Sequence, residues 1–481
     1  MEIDLKTYKL NKGKVESLVG KDKKYDHITQ AGFGKIDELL SFMHGVGIYD
    51  LLEKVDSFMK RKVDIPRSFI HATLALRPIL EITGINQIPT KLFSNPSILK
   101  KMGLSLEIIE RGFSPKNKAG KNLPHCLDTI YDEAKRVDPC AWERLLAGQV
   151  TLLSDKKFIK RHPGIYAIDA TDIEVGPDTQ YENIGKVAKE VSLIDKNGNS
   201  FTKIEIKYGY KLVILQSIVA DTRYIIAAAL VPLNVHEDSL AYPLIKYAYD
   251  VLGPGYIKTI IADRAFFDGD LFRKLLDLDI DFIVPTKANT QILSDMKGLV
   301  KLEGYSKATT NNGKTVYGFS GLSTLSSCIY KLNGILTEDG HGFVTSLKVD
   351  SAKSLIKTFE LYPKRWDIEN YGFRELKEYW NIEKLPGKKF NSVYMHVFLS
   401  LVMFNTIIAY KSNRKDKFVQ KGFLSLIKAN FSYTDEMIIY RDGYVGIFSL
   451  KEFLELMNLP PPSEEAVFRI IRYPQDKGKI W

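Results

Sequence analysis

Apolar residues recur every three or four positions through the first third of the chain. The pattern is clearest in "GKIDELLSFMHGVGIYDLLEKVDSFMKRK" and "RSFIHATLALRPILEI", with Pro, Gly and Asn interrupting it. That period predicts amphipathic helices, so residues 1–155 read as a helical N-terminal domain. From Gly164 the period changes. "GIYAIDATDI" is a short apolar run ending in acids, and "KIEIKYGYKLVILQSIVA" and "RYIIAAALVPL" are β-rich runs joined at Asp221-Thr222 in a predicted hairpin. The helix "DSLAYPLIKYAYDVLG", the buried strand "YIKTIIA", the helix "DGDLFRKLLDLD" and the strand "DFIVPTK" follow.

Three strands in a meander, then helix, strand, helix, strand, predict an α/β fold with a ribonuclease H-like mixed sheet flanked by helices. Residues 156–290 form the first part of this core. Short strands between Gly and Asn turns fill 291–350 as a β-rich insertion, and helices at 351–412 close the core. The mixed region 413–481, with the turn "LPPPSEE", is a candidate for dimerisation.

Composition narrows the class. With 481 residues, 45% of them apolar and 26% charged, the chain has room for two or three domains and is neither disordered nor fibrous. "MHVFLSLVMFNTIIAY", Met395 to Tyr410, is broken by His396 and Asn405 and is too short for a comfortable membrane span, so it reads as a core helix. The N-terminus lacks an apolar export region, and a cytoplasmic, nucleoid-associated protein with no membrane partner is expected. Cys126, Cys140 and Cys328 lack paired spacing, which argues against disulfides and zinc. A net charge of +10 fits a polyanionic partner without requiring one. Arg111, Lys116, Lys118 and Lys121 form a basic loop that either lies along phosphates or is simply solvated.

The acids are placed more tellingly. Asp169 follows "IYAI" and Asp263 follows "TIIA", so both end buried strands, where open α/β sheets place their ligand crevice. Asp172 and Glu174 compete with Asp169, and Asp268 and Asp270 with Asp263; the latter two suit the start of a helix, whose dipole favours acids. In "LYPKRWDIENYGFRELKEYW", read as one helix, Tyr362, Arg365, Glu369 and Phe373 fall within about 40° of one line. An acid among a cation and a phenol suits a phosphodiester at a metal site, with Glu369 as third carboxylate and Arg365 and Tyr362 on non-reacting phosphates. The bland alternative is a solvated Arg365–Glu369 pair. Trp366, Phe373 and Leu376 read as packing residues and His236 as a loop residue near a helix start, while Arg264 faces either DNA or an acid.

"AIDATDI", "IIADRAFFD", "FVTSLKV" and above all "YPKRWDIENYGFRELK" resemble the DDE transposases of the insertion-sequence-four family, whose signature is Tyr-x2-Arg-x3-Glu-x6-Lys. The resemblance covers roughly residues 160–410. It implies a catalytic, metal-binding triad of Asp169, Asp263 and Glu369 with two Mg2+ ions, Mn2+ substituting, and DNA contacts from Tyr362 and Arg365. The signature lysine position holds Leu376, and Lys377 comes one residue later, at about 80° from the Glu369 direction on an α-helix. The expected activity is cleavage at transposon ends and strand transfer, acting as a homodimer on double-stranded DNA. A nuclease that never transposes and a non-catalytic DNA-binding regulator are the alternatives.

Overall fold

The computed structural model describes residues 9–31, 35–56, 65–93, 96–105, 108–109, 127–177, 180–194, 200–218, 223–302, 304–413 and 436–460. The basic loop at 110–125 and the Asp221-Thr222 turn lie outside them. The chain forms two compact units, Met1–Glu133 with Asp416–Trp481, and Ala134–Lys415. The first unit is mainly helical at its start, as its apolar period predicts, but it also holds strands β1 (Lys9–Leu10) and β2 (His27–Ala31). Buried His71 cross-links it, bonding Leu52 O and Glu133 Oε1 at 2.7 Å each.

The second unit opens with the helix Pro139–Asp155, which the sequence reading had grouped with the N-terminal helices. Asp138 starts it by accepting the amide of Cys140 at 2.8 Å, and Pro139 at the first position lacks only a donor that would be unpaired anyway. The sheet follows: β3 (Ile165–Val175), β4 (Gly185–Ile194), β5 (Ser200–Ser217), β6 (Ile225–Pro232), β7 (Thr259–Ala262) and β8 (Asp281–Pro285). The neighbours run β6-β5-β3-β7-β8, with β5 antiparallel to β3 and to β6, and β7 parallel to β3 and to β8. This is the mixed, ribonuclease H-like order expected from the sequence. β4, absent from that expectation, pairs with the first half of β5 as a two-stranded ribbon.

The β-rich segment is not a separate sheet. β9 (Ser306–Thr309), β10 (Thr315–Leu322), β11 (Leu332–Thr337) and β12 (Gly342–Thr345) are joined to the core because β12 pairs antiparallel with β8, giving a ten-stranded sheet. The C-terminal hairpin, β13 (Glu436–Arg441) and β14 (Tyr444–Ser449), belongs instead to the first unit: β13 pairs with β2, and β14 with β1. Val15, Val19, Ile439 and Phe448 bury the face between this sheet and the helix Lys12–Asp22. Strands distant in sequence close one small core, which no local period announces.

The helix Phe390–Asn413 is long and apolar enough to cross a membrane, yet nearly all of it is buried inside the second unit. Its polar residues are matched. Asn405 accepts from Ile225 N at 2.9 Å and donates to Ile225 O at 2.8 Å, completing the backbone of β6 with one amide side chain. Gln149 of the helix Pro139–Asp155 donates to Val402 O and Thr406 Oγ1, at 2.7 and 2.9 Å. Replacing Asn405 by Ala leaves a buried N–H and C=O unpaired, so Asn405→Ala should lower the unfolding free energy by about 2–3 kcal/mol. Urea denaturation of the purified protein reads this directly, and a loss within error of zero would refute the role given to Asn405.

Candidate active site

Register brings the first two acids together. Ile168 of β3 pairs with Ala262 of β7, and each is followed by an aspartate, Asp169 and Asp263. Adjacent parallel strands lie about 4.8 Å apart, so these acids are lateral neighbours at the carboxyl end of the sheet. β7 stops at Ala262, whereas β3 continues to Val175, so beyond Ile168 β3 has no partner on the β7 side. Asp263 turns its Oδ1 onto the amide of Arg264 at 2.6 Å and starts a short 3-10 turn.

The third acid arrives on a helical segment that is not one α-helix. Tyr362–Arg365 is 3-10, Trp366–Ile368 α, Glu369–Phe373 π, and Arg374–Glu378 α again. Pro363 is accommodated in the first turn. Arg365 is the junction: its Nη1 donates to Asp169 Oδ2 at 2.5 Å and lies 2.8 Å from Glu369 Oε1. The i,i+4 pair of the bland alternative is therefore half of a three-residue bridge centred on buried Arg365. Tyr362 packs its ring against Phe343 of β12, 4.8 Å between centroids, with the Arg365 guanidinium 6.0 Å away.

The electrostatics follow from burial and from crowded like charges. Asp169 is pushed up from its ordinary 3.8 to about 6, chiefly by burial; Arg365 and the Ala170 amide oppose this, while Asp263 and Glu369 add to it. Burial acts to lower Arg365, but Asp169, Tyr362, Glu369 and Asp263 outweigh it and hold the guanidinium above its ordinary value. Tyr362 is also raised, mainly by burial. Among the described residues no three acid, His or Cys side chains enclose a metal position, because Arg365 lies between Asp169 and Glu369. The donor chemistry fits a hard cation: Asp169, Asp263 and Glu369 offer carboxylate oxygens, and the charges of Asp263 and Glu369 both act on Asp169.

Three of the four competing acids are otherwise engaged. Glu174 pairs with Lys207, Asp268 caps the helix Gly269–Leu276 by accepting from Asp270 N and Leu271 N, and Asp270 pairs with Arg273 and Lys274. His236 bonds through its backbone oxygen to Ser239. Arg264 lines a cavity of about 440 Å³ with Asp263, Lys297, His341, Phe343 and Tyr362. Trp366, expected to pack, is 53% exposed. Phe373 and Leu376, read as packing residues, are buried. Lys377 does not lie idle in its displaced register: its Nζ donates to Asp172 O on β3 at 2.8 Å and pairs with Glu383 at 2.9 Å. Arg223, which sequence reasoning did not single out, pairs with Asp367 at 3.2 Å.

Acids that follow adjacent parallel strands of such a mixed sheet lie where open α/β sheets bind their ligands. Residues 160–406, a little over half of the chain, match the transposase DDE domain family, and the chain belongs to that family. A curated relative, "Probable transposase for insertion sequence element IS5377" of Geobacillus stearothermophilus, is 23% identical over 180 residues. That match covers 36% of this chain and 45% of the relative, so less than half of the relative's length is spanned. A cryo-EM structure of a piggyBac transposase synaptic complex with hairpin DNA aligns at a TM-score of 0.36 and 11% identity, over 92% of this chain and 84% of that one.

The raised Asp169 has a definite sign. Its folded form holds a proton that the unfolded chain releases near 3.8, so the resulting stability is present below that value and lost as pH rises through about 6. Shifting it back costs about 3 kcal/mol at neutral pH. In chelator, Asp169→Asn should therefore melt higher than the parent at pH 7.5, the gap closing by pH 4. A variant that melts lower at pH 7.5 would show that the Arg365 bridge, not desolvation, dominates.

Proposed function

We propose that the protein is a DNA transposase of the insertion-sequence-four kind, which cleaves at the inverted ends of its own element and joins them to target DNA by cut-and-paste. The observation that carries this reading is the register Ile168–Ala262, which sets Asp169 and Asp263 side by side, with Glu369 tied to Asp169 through Arg365. Asp169, Asp263 and Glu369 would hold two Mg2+ ions, Mn2+ substituting. Such ions activate the attacking water or 3′-hydroxyl and neutralise charge on the leaving oxygen.

The chain's own groups do the rest. Arg365 balances Asp169 and Glu369 and, with Tyr362, would grip phosphates flanking the scissile bond. Arg264, beside Asp263, and Lys377, beside Asp172, would bind further along the DNA backbone. The net charge of +10 favours such a polyanion. The region 1–155 would recognise the ends, two ends would call for a homodimer on DNA, with 413–481 a candidate for its contacts, and the setting would be cytoplasmic, at the nucleoid.

The test is cleavage of a duplex carrying the ends that flank the coding region, with Mg2+, comparing the parent protein with Glu369→Gln. Cleavage should fall by roughly 10³-fold or more, while affinity for the ends changes less than about threefold. Specific binding without cleavage by the parent, in Mn2+ as well, would mean a DNA-binding regulator. Metal-dependent cutting with no preference for the ends would mean a nuclease.

A further inference from the structure

The π turn Glu369–Phe373 has packing built around it. The turn is closed by the amide of Arg374 bonding to Glu369 O. Gly372 is buried within it, and a Cβ there would lie 2.5 Å from Oε1 of Gln216 and 3.4 Å from its Cδ. A side chain at 372 thus displaces either Gln216 or the turn. Gln216 has little freedom to yield: it is buried on β5, and its Nε2 donates to Arg223 O at 3.0 Å. Its buried Oε1 faces Gly372 and accepts no hydrogen bond among the described residues, so the amide is held there by packing and by its other end.

Arg223 closes the arrangement from outside. Its guanidinium lies 3.2 Å from Asp367 Oδ2 and 3.9 Å above the Tyr371 ring. Asp367 and Tyr371 stand two residues before and two after Glu369, so a single side chain grips the helix on both sides of the third acid, while its backbone oxygen orients Gln216.

We propose that Gln216, Arg223 and Gly372 form a positioning clasp that maintains the π turn, and that the turn is a one-residue insertion which returns Lys377 to the side of the helix carrying Glu369. In an unbroken α-helix, Lys377, eight residues on, stands about 80° from Glu369; a π turn takes in one extra residue, so eight steps act as seven and the offset falls to about 20°. The contacts agree. Arg365, ahead of the turn, reaches Asp169, and Lys377, behind it, reaches Asp172 O, both on β3. The clasp deepens the proposed function, and it rests on that reading only for what Lys377 does to DNA.

Two variants separate an insertion from ordinary packing. Deleting Gly372 removes the surplus residue and lets the segment close as α-helix with the same faces before and after it. Gly372→Ala keeps the surplus and overlaps Gln216. Each is compared with the parent and with Lys377→Ala by thermal melting, by cleavage of the element's end duplex in Mg2+, and by the salt dependence of binding to that duplex without metal.

The deletion variant should melt at or above the parent temperature and keep the parent's salt slope. Gly372→Ala should cleave at least about tenfold more slowly and lose a slope of about one, as Lys377→Ala does. A deletion variant that melts more than about 5 °C lower, or that shares the lost slope, overturns the insertion. Gly372→Ala indistinguishable from the parent overturns the clasp. If the parent neither binds nor cuts the duplex, the proposed function fails, and the melting comparison alone still decides whether the turn is an insertion.

Discussion

Three carboxylates gathered at one end of a sheet repel one another, and the structure holds two of them with a single guanidinium. Arg365 bonds Asp169 and Glu369 through the same nitrogen and is itself largely buried. Removing Arg365 would leave both acids without their counter-charge, and such bridges constrain geometry more than they stabilise. Here the constraint joins the sheet to the segment Tyr362–Glu378, elements nearly 200 residues apart in the chain. Even with its counter-charge, Asp169 remains a strained anion, pushed up to about 6 chiefly by burial. Perturbed acids of this kind cluster at functional sites because function, not stability, requires them.

The parts of this arrangement legible in the sequence were those governed by a local period. "IYAI" and "TIIA" are buried runs with one acid at the end of each, and parallel pairing in register needs nothing more to set Asp169 beside Asp263. The order of strands and helices is equally local, since each element announces its own period. β4 escaped notice because, among the described residues, the ribbon it forms with β5 is largely exposed, Val187, Ile204 and Ile206 included. The β-rich segment was visible, but its junction with the core depends on the pairing of β12 with β8, a long-range register that composition does not encode. The union of the C-terminal hairpin with β1 and β2 was hidden for the same reason.

The helix wheel failed at an informative point. From Arg365 to Glu369 the reading at 100° per residue serves, and Arg365 does face Glu369. Beyond it a π turn intervenes, and Lys377 reaches β3. The sequence did carry a signal for this: the lysine stands one residue late relative to the signature it resembles. A late lysine invites the conclusion that its role is lost. The alternative, that the backbone absorbs the surplus, becomes visible only when the turn, Gly372 and Gln216 are seen together.

It matters that the irregularity falls in a helix and not in the sheet. A one-residue slip in a strand exchanges every side chain between its two faces, which on β3 would carry Asp169 from the site to the opposite side. A helix can take up an extra residue within one widened turn, since a single amide bonds one carbonyl further back and the turns on either side keep their pattern. The sheet beneath is correspondingly fixed, with Asn405 completing the backbone of β6 and Gln149 joining the two long helices behind it. Rigid strands therefore carry Asp169 and Asp263, whose spacing tolerates no slip. The adaptable segment carries Glu369, Arg365 and Lys377, long side chains whose reach can accommodate a turn of different width.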